Sequence, residues 1–304
     1  MSILVVGSVA FDSVSTPFGT AEEVLGGSGT YFSTSASFFT AVNLVAVVGE
    51  DFPAGHLEFL RQRNINLDGV STMAGRTFRW RGEYGYDLNE AKTLDTQLNV
   101  FAQFKPQLPE HYRDAEYVFL GNIDPELQLE VLKQVVRPKL VACDTMNFWI
   151  DGKRDALLKT LKHVDILLIN DAEVRQLAQE ANIVKAAKAV LAMGPKTLVV
   201  KRGEYGALLF SAHGVFAAPA YPLDEVYDPT GAGDTFAGGF IGYLASVRDD
   251  SDAAMRRAII FGSVMASFNV EAFSLERLRT LEFDEISARY RKFQLLTQFD
   301  GLEG

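Results

Sequence analysis

The stretch Asp228-Pro229-Thr230-Gly231-Ala232-Gly233-Asp234 runs straight into Thr235-Phe236-Ala237-Gly238-Gly239-Phe240. Pro229 disfavours helical geometry at the residue before it and so ends the preceding segment. Gly231 and Gly233 carry no Cβ, so backbone N–H groups can converge there. Beyond them Phe236, Phe240, Tyr243, Leu244 and Val247 recur at the spacing of one helical face. The string therefore reads as a glycine loop that opens a helix. A helix N-terminus aims unbonded N–H groups and the positive end of its dipole at whatever lies before it. Such a place suits phosphate oxygens, or charge that develops on them during a reaction. Asp234 falls in the first helical turn, where a carboxylate can take a proton from an attacking hydroxyl. A bare G-x-G-D also fits a plain turn followed by a favourable helix charge. The small face Ala237, Gly238, Gly239 and Gly242 makes the full string far more specific.

Working outward, short apolar runs recur at 3–6, 44–48, 117–120, 140–143, 166–169 and 198–200. Helical patterns lie between most of them, at 28–42, 126–136, 156–161 and 172–180. Continuous apolar strands alternating with amphipathic helices predict an α/β protein with a mostly parallel sheet covered on both faces. No fixed repeat, low-complexity tract or Pro/Gly-rich linker divides the chain, so residues 1–304 read as a single domain. One segment departs from this pattern. Across 77–87, Phe78, Trp80, Gly82, Tyr84 and Tyr86 alternate with Arg79, Arg81, Glu83 and Asp87, the period of a strand with one buried face. It predicts an antiparallel aromatic ribbon added to the main sheet, as a lid over a ligand or a surface for a second copy. An ordinary packed hairpin is the plainer alternative.

Composition limits the function classes. With 304 residues, 48% hydrophobic and 22% charged, the chain can bury a sizeable core. Its net charge of −10 lacks the footprint of a nucleic-acid binder, so an anionic ligand must be met by a local site. The single cysteine, Cys143, excludes an intrachain disulfide and sits in an apolar run as a small core residue. His56, His111, His163 and His213 lack metal-ligand spacing. No apolar run reaches the roughly 18 residues of a membrane span. The N-terminus reads as a strand without the basic start of a signal peptide, which points to the cytoplasm. There is no G-x-x-x-x-G-K-[ST], and Gly27-Ser28-Gly29 lacks the third glycine of a dinucleotide fingerprint.

In this order and spacing the chain resembles the ribokinase-like, or PfkB, carbohydrate kinases along nearly its whole length. DPTGAGDTFAGGF is similar to the C-terminal signature of that family. The resemblance implies a three-layer α/β/α sandwich with a mostly parallel central sheet and a small β lid drawn from about 12–25 and 74–100. It implies Asp234 as general base, with Gly231, Ala232 and Gly233 forming the anion hole. Asp12, Gly26 and Gly27 resemble the residues beside the acceptor. Tyr31 stands where many members carry an acceptor-binding Asn. Asn170-Asp171-Ala172-Glu173 resembles the N-x-x-E motif, in which Glu173 handles Mg²⁺ through water. Lys201, Gly203 and Gly206 resemble the strand and turn beside the nucleotide. Asp228 and Thr230 resemble ligands of the monovalent-cation site found in potassium-dependent members. Asp144-Thr145-Met146-Asn147 matches a further family motif only in part, which makes Asp144 a secondary candidate.

The expected activity is transfer of the γ-phosphoryl group of ATP, with Mg²⁺ and a candidate K⁺ site, to the hydroxymethyl group of a sugar or sugar derivative. An adenosine-like nucleoside kinase is the alternative acceptor class. A non-catalytic ligand-binding protein on the same fold is the alternative of a different kind. The expected partners are a small-molecule sugar or nucleoside and a second copy through the lid, with no nucleic acid and no membrane.

Overall fold

The computed structural model describes residues 2–298 and 300. In chain order the strands are β1 (Ser2–Val6), β2 (Ala10–Thr16), β3 (Gly19–Gly26), β4 (Ala41–Gly49), β5 (Ile65–Met73), β6 (Phe78–Tyr84), β7 (Ala91–Gln97), β8 (Tyr117–Leu120), β9 (Leu140–Asp144), β10 (Ile166–Asn170), β11 (Thr197–Lys201), β12 (Ala207–Ser211) and β13 (Gly214–Ala218). The helices are α1 (Ser28–Ala36), α2 (Ala54–Gln62), α3 (Pro125–Leu132), α4 (Asn147–Gly152), α5 (Arg154–Leu161), α6 (Asp171–Ala178), α7 (Ile183–Leu191), α8 (Ala232–Val247), α9 (Asp252–Asn269), α10 (Glu276–Thr280) and α11 (Phe283–Thr297). Nine strands form one sheet in the order β13-β12-β11-β10-β9-β8-β1-β4-β5. Strands β5 to β11 of that order run parallel, and β12 and β13 close one edge antiparallel.

The apolar runs are continuous because both sheet faces are covered. Ile3 and Val5 point into one core with Phe32, Phe236, Phe240 and Phe268 of α1, α8 and α9. Leu4 and Val6 point into the other with Val131, Leu157, Val174 and Val190 of α3, α5, α6 and α7. That is the three-layer α/β/α arrangement. Cys143 lies wholly buried in β9, and burial pushes its thiol well up, as expected of an inert core residue. The small face of α8 has a packing reason. A Cβ on Gly238 would run into the Phe32 carbonyl, and one on Gly242 would come within 3.1 Å of Ala36 Cα, so α8 lies tightly on α1. Among the described residues, no helix is long and apolar enough to cross a membrane.

Two local expectations change. The helix expected over 28–42 ends at Ala36, because residues from Ala41 are drawn into β4, where Val42 pairs with Ile3. The aromatic ribbon belongs to a separate four-stranded sheet, β3-β2-β6-β7, but it is not purely antiparallel. Strand β6 pairs parallel with β2 and antiparallel with β7. Its alternation is interrupted by a register shift between Arg81 and Gly82. Phe78 stacks on Phe101 at 5.3 Å, and the Trp80 indole covers Gly82 and donates to the Thr93 hydroxyl. Tyr86 lies beyond the strand and is 91% exposed.

Candidate active site

The glycine loop is held at both ends before it opens α8. Asp228, 1% exposed, accepts the Thr230 N–H at 2.9 Å on one carboxylate oxygen and the Ser274 N–H at 3.1 Å on the other. The turn closes through Ala232 N–H to the Pro229 carbonyl at 3.1 Å. Gly231 adopts φ 72°, a left-handed conformation that favours glycine. A Cβ at Gly231 would also strike the ring of Tyr31, so the loop lies flat on that ring. No side chain caps α8. The N–H groups of Gly233 and Asp234, in its first turn, have no intrahelical acceptor and are available to an anion.

Strands β9, β10 and β11 are parallel neighbours, so Asp144, Asn170 and Lys201 arrive together at their C-terminal ends. This is where open α/β sheets bind ligands. Lys201 Nζ donates to Asp144 Oδ2 at 2.9 Å, with both side chains largely buried. The same ammonium lies 3.0 Å from the position a Cβ on Gly233 would take, so Lys201 comes up against the loop itself. Asn170 caps α6 through a reciprocal box: its side chain accepts the Glu173 N–H, and Glu173 Oε2 accepts the Asn170 N–H, both at 2.8 Å. Burial, then the Asp144 charge, pushes the Asp234 carboxyl up to about 7 against the pull of Lys201. Burial and Asp144 push Glu173 up to about 7 as well. Burial works against the Lys201 ammonium, but Asp144, Glu173 and Asp234 prevail and raise it.

Three carboxylates thus surround one ammonium, an excess of negative charge that a divalent cation would offset. Among the described residues no three His, Cys, Asp or Glu side chains converge as a direct metal cage. That donor set fits Mg²⁺, which keeps most of its waters and needs one or two carboxylates besides phosphate oxygens. Glu173 Oε2 is taken up in the capping box, which leaves Oε1 outside it.

The opposite wall comes from the smaller sheet. Asp12 lies on β2 at a register shift, which turns its carboxylate towards the paired glycines. It is 5% exposed and accepts the Gly27 N–H. A Cβ on Gly26 would collide with the Asp12 carboxylate, so that position has to be bare. Burial pushes Asp12 up to about 7, the Gly27 N–H opposes this, and Asp228 and Asp234 add to it. Tyr31 is 1% exposed, and its hydroxyl is buried without a protein partner. Burial, then Asp12, Asp228, Tyr84 and Asp234, keeps that phenol protonated. From β6, the Tyr84 hydroxyl meets Thr230 Oγ1 at 3.3 Å, which brings the smaller sheet onto the glycine loop.

Gly203 and Gly206 shape the turn after β11, with φ 54° and 87°. The Arg202 N–H closes this turn on the Gly206 carbonyl at 2.8 Å. Asn89, between β6 and β7, accepts the Glu204 N–H at 3.3 Å, so the smaller sheet touches this turn too. Lys201, the last residue of β11, links this turn to the carboxylate cluster. Asp144, only a secondary candidate from sequence, is central here because it is the partner of Lys201. Asn269 and Ser274 also hold the loop.

The pfkB family carbohydrate kinase model matches residues 2–278. The chain belongs to that family. Within the pfkB family it is 32% identical over 251 residues to the cytidine kinase of Thermococcus kodakarensis, covering 79% of this chain and 87% of that one. It superposes on the nucleoside kinase of Burkholderia thailandensis solved with inosine, with a TM-score of 0.78, 18% identity and coverage of 95% and 98%. It also superposes on a ribokinase II from E. coli solved with ATP and Mg²⁺, with a TM-score of 0.76, 20% identity and coverage of 96% and 99%. The protein is a kinase of the ribokinase fold.

Proposed function

We propose that the protein transfers the γ-phosphoryl group of ATP to the hydroxymethyl group of a nucleoside. The observation that carries the chemistry is Asp234, with a carboxyl poised near neutrality, in the first turn of an uncapped helix. The acceptor is oriented by hydrogen bonds from its hydroxyls to Asp12, at the end lined by Gly26 and Gly27. Asp234 takes the proton of the hydroxymethyl group as its oxygen approaches the phosphorus in line. Negative charge on the transferring group is met by the N–H groups of Gly233 and Asp234 and by Lys201, while the Ala232 N–H is taken up by the Pro229 carbonyl and Gly231 shapes the turn. Catalysis of this kind is mainly positioning and electrostatic stabilisation. Glu173 would hold Mg²⁺ through water, and the ion would supply charge neutralisation on the ATP phosphates. The turn at Gly203 and Gly206, with Asn170, forms the nucleotide side.

The nucleoside reading is favoured over a free sugar by the cytidine kinase relative and by the inosine-bound neighbour. The aromatic residues of β6 supply surfaces on which a base can stack. In the same reading the smaller sheet acts as a lid, and its exposed outer strand β7 serves a second copy, which sedimentation with and without acceptor would test. We place the protein in the cytoplasm, where ATP is supplied; localisation of the tagged chain tests this. A monovalent cation beside Asp228 and Thr230 is the finest part of the proposal.

The experiment is ATP consumption, with product analysis, over a panel of cytidine, uridine, adenosine, inosine, ribose, fructose phosphates, ketodeoxygluconate and inositols. Phosphorylation of a nucleoside at the highest kcat/KM is expected. A sugar or inositol phosphorylated in preference would overturn the acceptor class. Replacing potassium by tetramethylammonium in the same assay should slow the reaction if the cation site is real, and an unchanged rate removes it.

A further inference from the structure

We propose that Asn269 is a positioning residue that fixes the anion loop in its working shape before substrate arrives. The inference rests on the reading of residues 231–234 as the phosphoryl site. Asn269 is the last residue of α9 and is 1% exposed. Its Nδ2 donates to the Thr230 carbonyl at 2.9 Å, and its Oδ1 accepts from the Thr235 hydroxyl at 3.0 Å. A carbonyl oxygen can only accept, so the Thr230 partner settles which end of the amide carries nitrogen. Thr230 immediately precedes the loop and Thr235 immediately follows it. One planar amide therefore ties Thr230 to Thr235 across residues 231–234.

The tie is rigid on both sides. Thr235 is fixed further because its N–H donates to the Gly231 carbonyl at 2.8 Å and its carbonyl accepts the Ser35 hydroxyl at 2.7 Å. Helix α9 lies close on α8, since a Cβ on Gly239 would meet Met265 and one on Gly262 would meet the Phe236 carbonyl. Phe268, next to Asn269, is held beneath the guanidinium groups of Arg289 and Arg277 at 3.5 and 4.9 Å. Thr230 is also the loop residue that Tyr84 touches from β6. Asn269 thus fixes the point at which the smaller sheet meets the anion loop. Donors set in place in advance stabilise transition-state charge without reorganising during the reaction. Loss of the tie should therefore affect the chemical step more than ground-state binding.

The test compares Asn269→Asp, Asn269→Ala and Thr235→Val with Ser251→Ala. Asn269→Asp keeps the shape and the bond from Thr235, but it sets an acceptor against the Thr230 carbonyl. Ser251 caps the far end of the same helix through the Ala254 N–H, and its loss loosens α9 without touching the loop. Both Asn269 variants should lose about 100-fold in kcat with KM for ATP and acceptor changed less than about threefold. Thr235→Val should lose about tenfold, and the double variant should fall short of the product of the two losses because both residues serve one tie. Ser251→Ala should lower Tm and keep kcat.

A readout without any acceptor accompanies the rates. Calorimetry with ADP and Mg²⁺, with and without aluminium fluoride, should show the Asn269 variants weakened for the fluoride complex and unchanged for ADP alone. Wild-type kcat in Asn269→Asp, or equal weakening of both ligands, would overturn the proposal. A Ser251→Ala variant with the same kcat loss would also overturn it. A wild-type protein that binds neither ligand overturns the phosphoryl-site reading itself and this inference with it.

Discussion

At Asp234, burial and the Asp144 charge act together to hold the proton, while Lys201 works to release it. A general base must be ionised to act, so kcat/KM should climb as pH rises through about 7, where this carboxyl titrates. Asp234→Asn should cut turnover by about a thousandfold or more and leave the thermal shift on adding ATP and Mg²⁺ in place. A variant that turns over at the wild-type rate would remove Asp234 from the role of base. The position of Asp234 just after Gly231-Ala232-Gly233 was legible in the sequence, because a glycine turn and a helix start are local properties. Its raised proton affinity was not. That depends first on burial and then on Asp144, which reaches the site through the register of neighbouring strands.

Helix α8 and its loop show how glycine serves an element. Gly231 combines a left-handed φ of 72° with direct contact on the Tyr31 ring. Gly231→Ala therefore meets both backbone strain and a collision, and should destabilise the protein by about 2 kcal/mol. Urea unfolding measures this, and unchanged stability would mean the loop can lift off the ring freely. Gly238 and Gly242 needed no strained backbone, only closeness to α1. The elements that sequence misjudged lie where tertiary pairing overrode local pattern. Residues 37–42 continue a helical pattern, yet Val42 is taken up beside Ile3 in the sheet. The alternating segment at 78–84 is a strand as expected, but alternation is equally compatible with parallel and antiparallel neighbours, and β6 has one of each.

Across the whole molecule, three desolvated carboxyls, buried Asp12 and half-buried Glu173 and Asp234, each hold protons up to about pH 7 in the folded state. Their ordinary values are 3.8, 4.5 and 3.8. Between about pH 4 and pH 7 the folded chain therefore binds more protons than the unfolded one, and stability falls as pH rises through that window. The unliganded protein should show a lower Tm at pH 8 than at pH 5.5. Asp12→Asn should flatten this slope and raise Tm at pH 8, while acceptor binding weakens. A Tm that rises from pH 5.5 to pH 8 in the wild type would contradict the burial of these charges. The net charge of −10 is compatible with a polyphosphate ligand, because uncharged N–H groups and Lys201 act locally. The sequence by itself determined the layered α/β sheet, the glycine loop and the kinase family. Hydrophobic period, turn residues and helix starts are written within a few neighbouring positions. Only the tertiary structure decided that Lys201 pairs with Asp144, 57 positions away, that Asn269 ties Thr230 across 39, and that Tyr84 meets Thr230 across 146. Those contacts depend on strand order and helix packing, which bring distant side chains within hydrogen-bonding range and leave no periodic trace in the chain.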